Sequence, residues 1–189
     1  MKRAVLILTF FALVLSSFAS VIPEPCLKAL QRALSSSAEW TMQRSIADTG
    51  RVFVSTGVVD CVAGKGIDWK VLYPFESSVS MTTNKMVFCD EEGTRVKMLS
   101  ELPHYARICS LADDFLGGKG DTFKEVFDCE VRMSQDGRWS ILMSPRIQAM
   151  RRLFDSIVLE GSDRLSSAVF LASRASKTTI HFKEIVREK

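Results

Sequence analysis

A chain of 189 residues sets 25 Lys and Arg against 22 Asp and Glu, a formal charge of only +3, and two of its cations are Lys2 and Arg3 at the extreme front. Basic residues gather only in "RIQAMRR" (146–152), which reads as a solvated loop, so the charge excludes the footprint of a nucleic-acid binder. The five cysteines form no CxxC pair and no Cys/His spacing of the zinc type, so no metal or other cofactor is expected.

Lys2 and Arg3 lead into the apolar stretch "AVLILTFFALVL" and then "SSFAS", with small residues at Ser17 and Ala19. This is the order of a secretory signal cut after Ala19, so residues 1–19 are expected to be a signal peptide and 20–189 a single domain. The apolar stretch has twelve residues, short of the roughly twenty that span a bilayer. Cys26 follows Pro25 instead of a small residue, which argues against a lipid-modified N-terminus. Cys26, Cys61, Cys89, Cys109 and Cys129 all lie in the exported part. Their odd number leaves at least one thiol free or shared between chains, while an oxidising compartment permits one or two disulfides. Within "FDCEVRM", Cys129 reads as a small buried apolar residue beside Phe127, Val131 and Met133.

Pro23 and Pro25 open a helical segment striped by Leu27, Leu30 and Leu34, and "SSS" (35–37) ends it. A strand with Trp40, Met42 and Ile46 on one side follows. Next comes "GRVFVSTGVVDCV", which sets Phe53, Val59 and Cys61 against Val52, Val54, Val58 and Val62. After the turn "AGKG", Ile67, Trp69 and Val71 share a face and Pro74 breaks the strand. Val79 and Met81, Met86 and Phe88, and Val96 and Met98 repeat the alternation, with turns at "TTNK" and "DEEG". The period then changes: Leu102, Tyr105, Ile108, Leu111 and Phe115 make a helical stripe stopped by Gly117 and Gly118, and "DTFKEVF" makes a shorter helix capped by Asp121. Strands resume in "CEVRM", in "RWSILM" with Trp139, Ile141 and Met143 on one face, and in "SIVLEG", "SSAVFLAS" and "TTIHF". The whole reads as α+β, one antiparallel sheet wrapped around a few helices.

No catalytic template fits. The two histidines, His104 and His181, have no partner of a catalytic type at a useful spacing, and no GxSxG elbow is present. "GGKGDT" (117–122) lacks the spacing of a phosphate loop, and Asp113 with Asp114 reads as the polar side of a helix. The chain is therefore expected not to be an enzyme. It is instead rich in large, adaptable apolar side chains, with eight Met, twelve Phe and three Trp. Such residues pack a core more often than they line a cavity, and composition does not decide between the two.

The order "WTMQR", "STGVVDCV", "GIDWKVLYPFES", "TNKMVFCDEEG", a central helix ending "LGG", "LMSPR", "FDSIVLEG" and "TTIHF" resembles the LolA-like family of periplasmic outer-membrane lipoprotein carriers, over roughly Leu27 to Phe182. The resemblance implies an incomplete antiparallel β-barrel, a half-barrel of about eleven strands covered by lid helices. It also implies a monomer in the periplasm whose lumen shields acyl chains of lipoproteins or other lipids between an inner-membrane donor complex and an outer-membrane acceptor. Val59, Ile67, Trp69, Met81, Phe88, Trp139 and Ile141 would then line the lumen, and Leu111 and Phe115 would belong to the lid. Where the family's carriers hold an arginine after the first long strand, this chain has Ala63. The alternative is a non-enzymatic module with a packed core that binds a partner protein through a sheet edge.

Overall fold

A computed structural model of the protein describes residues 22–33, 35–62, 66–82, 84–101, 125–152, 154–172 and 176–184. The expected signal peptide, the central helix with His104, Cys109, Leu111, Asp113, Asp114 and Phe115, and Ala63 all lie outside the described residues.

Helix α1 (Glu24–Ala33) begins where Pro23 and Pro25 place it, proline being tolerated in a first turn where backbone N–H groups have no helical partner. It buries Cys26, Ala29 and Leu30, at the i, i+3, i+4 spacing of one helix face. Leu30 of the expected stripe is buried and Leu27 is half-buried against the same cluster, while Leu34 lies outside the described residues; Cys26 and Ala29 add to that face. Small residues there let the helix lie close to what it covers.

Eleven strands follow: β1 (Ser37–Ile46), β2 (Arg51–Val62), β3 (Gly66–Tyr73), β4 (Ser77–Met81), β5 (Lys85–Asp90), β6 (Gly93–Met98), β7 (Phe127–Met133), β8 (Trp139–Pro145), β9 (Ser156–Gly161), β10 (Leu165–Ala172) and β11 (Ser176–Glu184). A 3-10 turn (Leu99–Glu101) follows β6, and a one-turn helix, α2 (Gln148–Arg151), joins β8 to β9. The strands make one sheet in the order β6-β5-β4-β3-β2-β1-β11-β10-β9-β8-β7, so the expected half-barrel of about eleven antiparallel strands is the architecture formed. Each strand pairs antiparallel with its chain neighbour except at two places: β1 pairs with β11, and β6 and β7 are left as the edges. Of the segment read as a helix at 121–127, Glu125 and Val126 are helical and Phe127 already opens β7.

Residues directly opposite in register share a face of the sheet. Ala38, Trp40 and Met42 of β1 therefore stand on the same side as Val59, Gly57 and Ser55 of β2, and as Ile180 and Phe182 of β11. Extending the register outward puts Ile67, Trp69 and Val71 on that side, then Val79 and Met81, then Met86 and Phe88. In the other direction it adds Ala168 and Phe170, Ile157 and Leu159, Trp139, Ile141 and Met143, and Cys129 with Val131. This inner face carries the buried side chains of the sheet. On the outer face stand polar residues such as Glu39, Thr41, Asp68, Lys70, Glu130 and Arg132.

The cationic run at 146–152 is structural. Arg146 donates to Asp128 through Nε at 2.9 Å and through a second guanidinium nitrogen at 2.5 Å, and Arg151 Nε donates to the Pro145 carbonyl at 2.8 Å. Both clamp the turn after β8 instead of presenting a free basic patch.

Candidate functional site

The inner face falls into two parts. Over β7–β10 it is filled: α1 packs on β10 and α2 on β8, and Ile22, Cys26, Ala29, Leu30, Val126, Phe127, Cys129, Trp139, Ile141, Met143, Met150 and Phe154 form one buried cluster. Trp139 is 3% exposed and Ile141 is fully buried.

Over β1–β5 and β11 the buried cluster shrinks to Trp40, Val59, Cys61 and Ile180, with Met86 of β5 buried apart from it. Around it Ala38, Met42, Ile67, Trp69, Val71 and Phe182 are only partly buried, as are Val79, Met81 and Phe88 on the next strands. No described helix packs on this part. The register arranges these side chains as two cross-strand rungs: Cys61, Ile67, Met81 and Met86, and beside it Ala38, Val59, Trp69, Val79 and Phe88. On β6 the first rung meets Lys97 and the second Arg95. Arg95 is ion-paired with Asp90. Apolar rungs thus run four and five strands deep and end on cations on the edge strand β6.

Each part is anchored by a tryptophan laid across a glycine on the neighbouring strand. Trp40 stands opposite Gly57 and Trp139 opposite Gly161. A Cβ at Gly57 would lie 1.9 Å from the Lys70 carbonyl oxygen and 2.5 Å from Trp40 Cζ2; at Gly161 it would lie 2.1 Å from the Arg164 carbonyl oxygen and 2.5 Å from Trp139 Cζ2. Only glycine allows the indole to lie so close to the strand. Irregular pairing flanks both glycines, between Thr56 and Gly57 on β2 and between Leu165 and Ser167 on β10. Trp40 also stacks on Trp69, with ring centroids 4.5 Å apart.

The residues expected to line a lumen thus share one face but not one environment. Val59, Ile67, Trp69, Met81 and Phe88 come together on the two rungs, whereas Trp139 and Ile141 continue the face beneath α1; Leu111 and Phe115 lie outside the described residues. Val79 and Met86 complete the rungs and Trp40 stacks beside them, residues the sequence reading does not place in the site although strand alternation with Trp69, Met81 and Phe88 carries the signal. Hollows of about 640 Å³ (Arg132, Met133, Arg138, Trp139, Glu160, Ser166 and neighbours) and about 300 Å³ (Glu24, Lys28, Arg32, Asp163 and neighbours) lie elsewhere, among mostly polar side chains.

Burial pushes the Cys61 thiol up to about 11, with the nearby Asp60 and Asp68 carboxylates adding to the rise. It pushes Cys129 up to about 11 as well, helped by Asp128 and opposed by Arg146. Neither is poised as a nucleophile. His181 stands exposed on β11, opposite Thr41 and Ser167 on the outer side. Among the described residues no group of three His, Cys, Asp or Glu is placed to hold a metal ion.

Solved structures similar to this chain include a LolA superfamily protein from Nitrosomonas europaea (8% identity, TM-score 0.43, covering 89% of this chain and 96% of that one). They also include a domain assigned to outer-membrane lipoprotein sorting from Vibrio parahaemolyticus (9%, TM-score 0.42, 85% and 90%) and LprF from Mycobacterium bovis (13%, TM-score 0.39, 90% and 99%). No protein-family model matches the sequence, and no curated protein matches it. At such identities and TM-scores, function has to be argued from this chain's own residues.

Proposed function

We propose that the chain is a non-enzymatic periplasmic carrier, monomeric and free of cofactor, that holds acyl chains of lipoproteins or other lipids against the β1–β5 part of its inner face and moves them toward the outer membrane. An inner-membrane donor would load it and an outer-membrane acceptor unload it. The signal-like residues 1–19 would direct its export.

The observation that supports this reading is the pair of apolar rungs. Ile67, Trp69, Val79, Met81 and Phe88 face the same side as the core yet stay partly exposed, on a sheet whose other half is filled by α1. Leaving that much apolar area accessible costs about 25 cal/mol per Å², a cost that a bound hydrocarbon chain would remove. Two methionines, Met81 and Met86, and two aromatic residues, Trp69 and Phe88, suit a ligand of variable shape better than a rigid one. The task needs apolar area and no reacting group, which is why "GIDWKVLYPFE" can form the centre of the sheet without a nucleophile.

Ile67→Glu tests the reading. On an accessible rung the carboxylate keeps its water, so the expected result is a melting temperature within a few degrees of wild type and loss of binding of a fluorescent fatty-acid probe by the delipidated protein. In wild type each methylene added to the probe should tighten binding by about 0.8 kcal/mol, roughly fourfold. If delipidated wild type takes up no probe of any chain length, or if Ile67→Glu takes it up unchanged, the carrier reading is overturned.

One observation favours the partner-binding alternative. β3 pairs with β2 only from Thr56 onward, so Arg51–Ser55 of β2 has β1 as its only described neighbour, and Val52, Phe53 and Val54 are exposed there. Leu72, Tyr73 and Phe75 are exposed at the adjoining end of β3. An extended peptide could add to that free edge.

A further inference from the structure

We infer that the cargo is held by its carbonyl group as well as by its hydrocarbon chain, with the indole N–H of Trp40 as the donor to an ester or amide carbonyl oxygen. The inference rests on the carrier reading and names the chemistry of the ligand at that same site.

The two tryptophan–glycine pairs carry the argument. Trp139 Nε1 donates to the Ser162 carbonyl at 2.5 Å. That carbonyl is available because β9 ends at Gly161, so Ser162 stands beyond the strand ladder. Trp40 makes the same crossing over Gly57, but Gly57 lies in mid-strand, and the next residue, Val58, is paired with both Glu39 of β1 and Lys70 of β3. Its carbonyl belongs to a ladder. Trp40 is 1% exposed, and its Nε1 finds no acceptor among the described residues.

A buried N–H without a partner forfeits about 1–3 kcal/mol relative to one that is bonded, which is why such groups are rare and mark sites completed by something else. Here the orphan lies in the part of the inner face with partly exposed walls, stacked against Trp69 and next to Met42, Val71 and Phe182. A pure hydrocarbon would leave it unsatisfied. An acyl chain carries one acceptor at its head, and with that oxygen at Trp40 the tail can run along the rungs through Trp69, Val79 and Phe88. Trp69 and Met42, the partly buried neighbours, are the side chains that would shift to admit it.

The experiment compares tetradecane with methyl laurate and N-methyllauramide, chains of matched length without and with a carbonyl. In ¹⁵N-labelled mature protein, methyl laurate or N-methyllauramide should move the Trp40 indole proton downfield, tetradecane should not, and the Trp139 indole, already bonded to Ser162, should stay put. In Trp40→Phe the preference for ester over alkane should fall about tenfold relative to wild type. If all probes bind and the Trp40 proton responds alike to each, or the preference survives in Trp40→Phe, the inference is overturned while the carrier reading stands. If no probe binds, both fall. Should Trp40→Phe fail to fold, the indole spectra of the wild-type protein decide alone.

Discussion

Trp139 and Trp40 occupy equivalent places in two parts of one sheet, each lying across a glycine of the adjoining strand beside a pairing irregularity, yet their surroundings differ. Around Trp139 the apolar residues are buried by α1 and α2, and the indole N–H is satisfied. Around Trp40 the same kinds of residue are partly exposed and the N–H is orphaned. Strand period alone does not produce the difference, since Trp139, Ile141 and Met143 alternate onto the inner face just as Ile67, Trp69 and Val71 do. What separates them among the described residues is α1, laid over one part with Cys26 and Ala29 on its buried face.

The largest effect that could break this comparison comes from charging both parts equally. Ile141→Glu puts a carboxylate into a fully buried position beneath α1, where an unpaired charge has no route to water. We expect it to cost about 4 kcal/mol or more, enough to unfold much of the population, whereas Ile67→Glu should cost about 1 kcal/mol or less. Urea denaturation of the two variants side by side measures the gap. Equal losses would mean that the β1–β5 part is as solid as the other.

The glycines come next. A Cβ at Gly57 meets the Lys70 carbonyl and the Trp40 ring inside a strand held on both sides by β1 and β3, so neither can yield easily. At Gly161 the clash is with the Arg164 carbonyl in a turn at the end of β9, which has more room to adjust. Gly57→Ala should therefore cost about 3 kcal/mol and Gly161→Ala about 1–2 kcal/mol, read from denaturation midpoints at unchanged slope. The reverse order would put the tighter packing around Trp139.

The strands were legible because their alternation has period two: Ile67 with Trp69, Met86 with Phe88, and Trp139 with Ile141 each fell on the face the register gives them. That Val59, Ile67, Trp69, Met81, Phe88, Trp139 and Ile141 share one face of the sheet was legible for the same reason. Their division was not, because whether Ile141 or Ile67 is covered depends on where a helix more than thirty residues away in sequence comes to rest, and periodicity carries no such information. Of the leucine stripe expected on α1, Leu30 is buried and Leu27 packs half-buried on the same cluster, while Cys26 and Ala29, which rank low as apolar anchors, also share that face. The orphaned N–H of Trp40 was invisible for a related reason, since it follows from the end of β9 at Gly161 and the continuation of β2 past Gly57, both matters of strand length.

The smallest effects are those of two buried thiols, Cys61 in one part and Cys129 in the other. Cys61 and Cys129 are both raised to about 11 from 9.0, chiefly by burial, so both stay protonated at pH 8, and Cys89, exposed on β5, should be alkylated first. A raised folded-state pKa means that the contribution to stability is complete below pH 9 and is lost as pH climbs through about 11. Stability should accordingly sag between those values, and less so in Cys61→Ala or Cys129→Ala. Ligand separates the two sites. Cys61 adjoins Ile67 on the first rung, so saturating methyl laurate should slow its alkylation severalfold at pH 9, while Cys129, beneath the filled part, should react at an unchanged rate. Mass spectrometry of peptides after timed alkylation reads both at once, and equal protection of Cys129 would place the bound chain under α1 instead of along the exposed rungs.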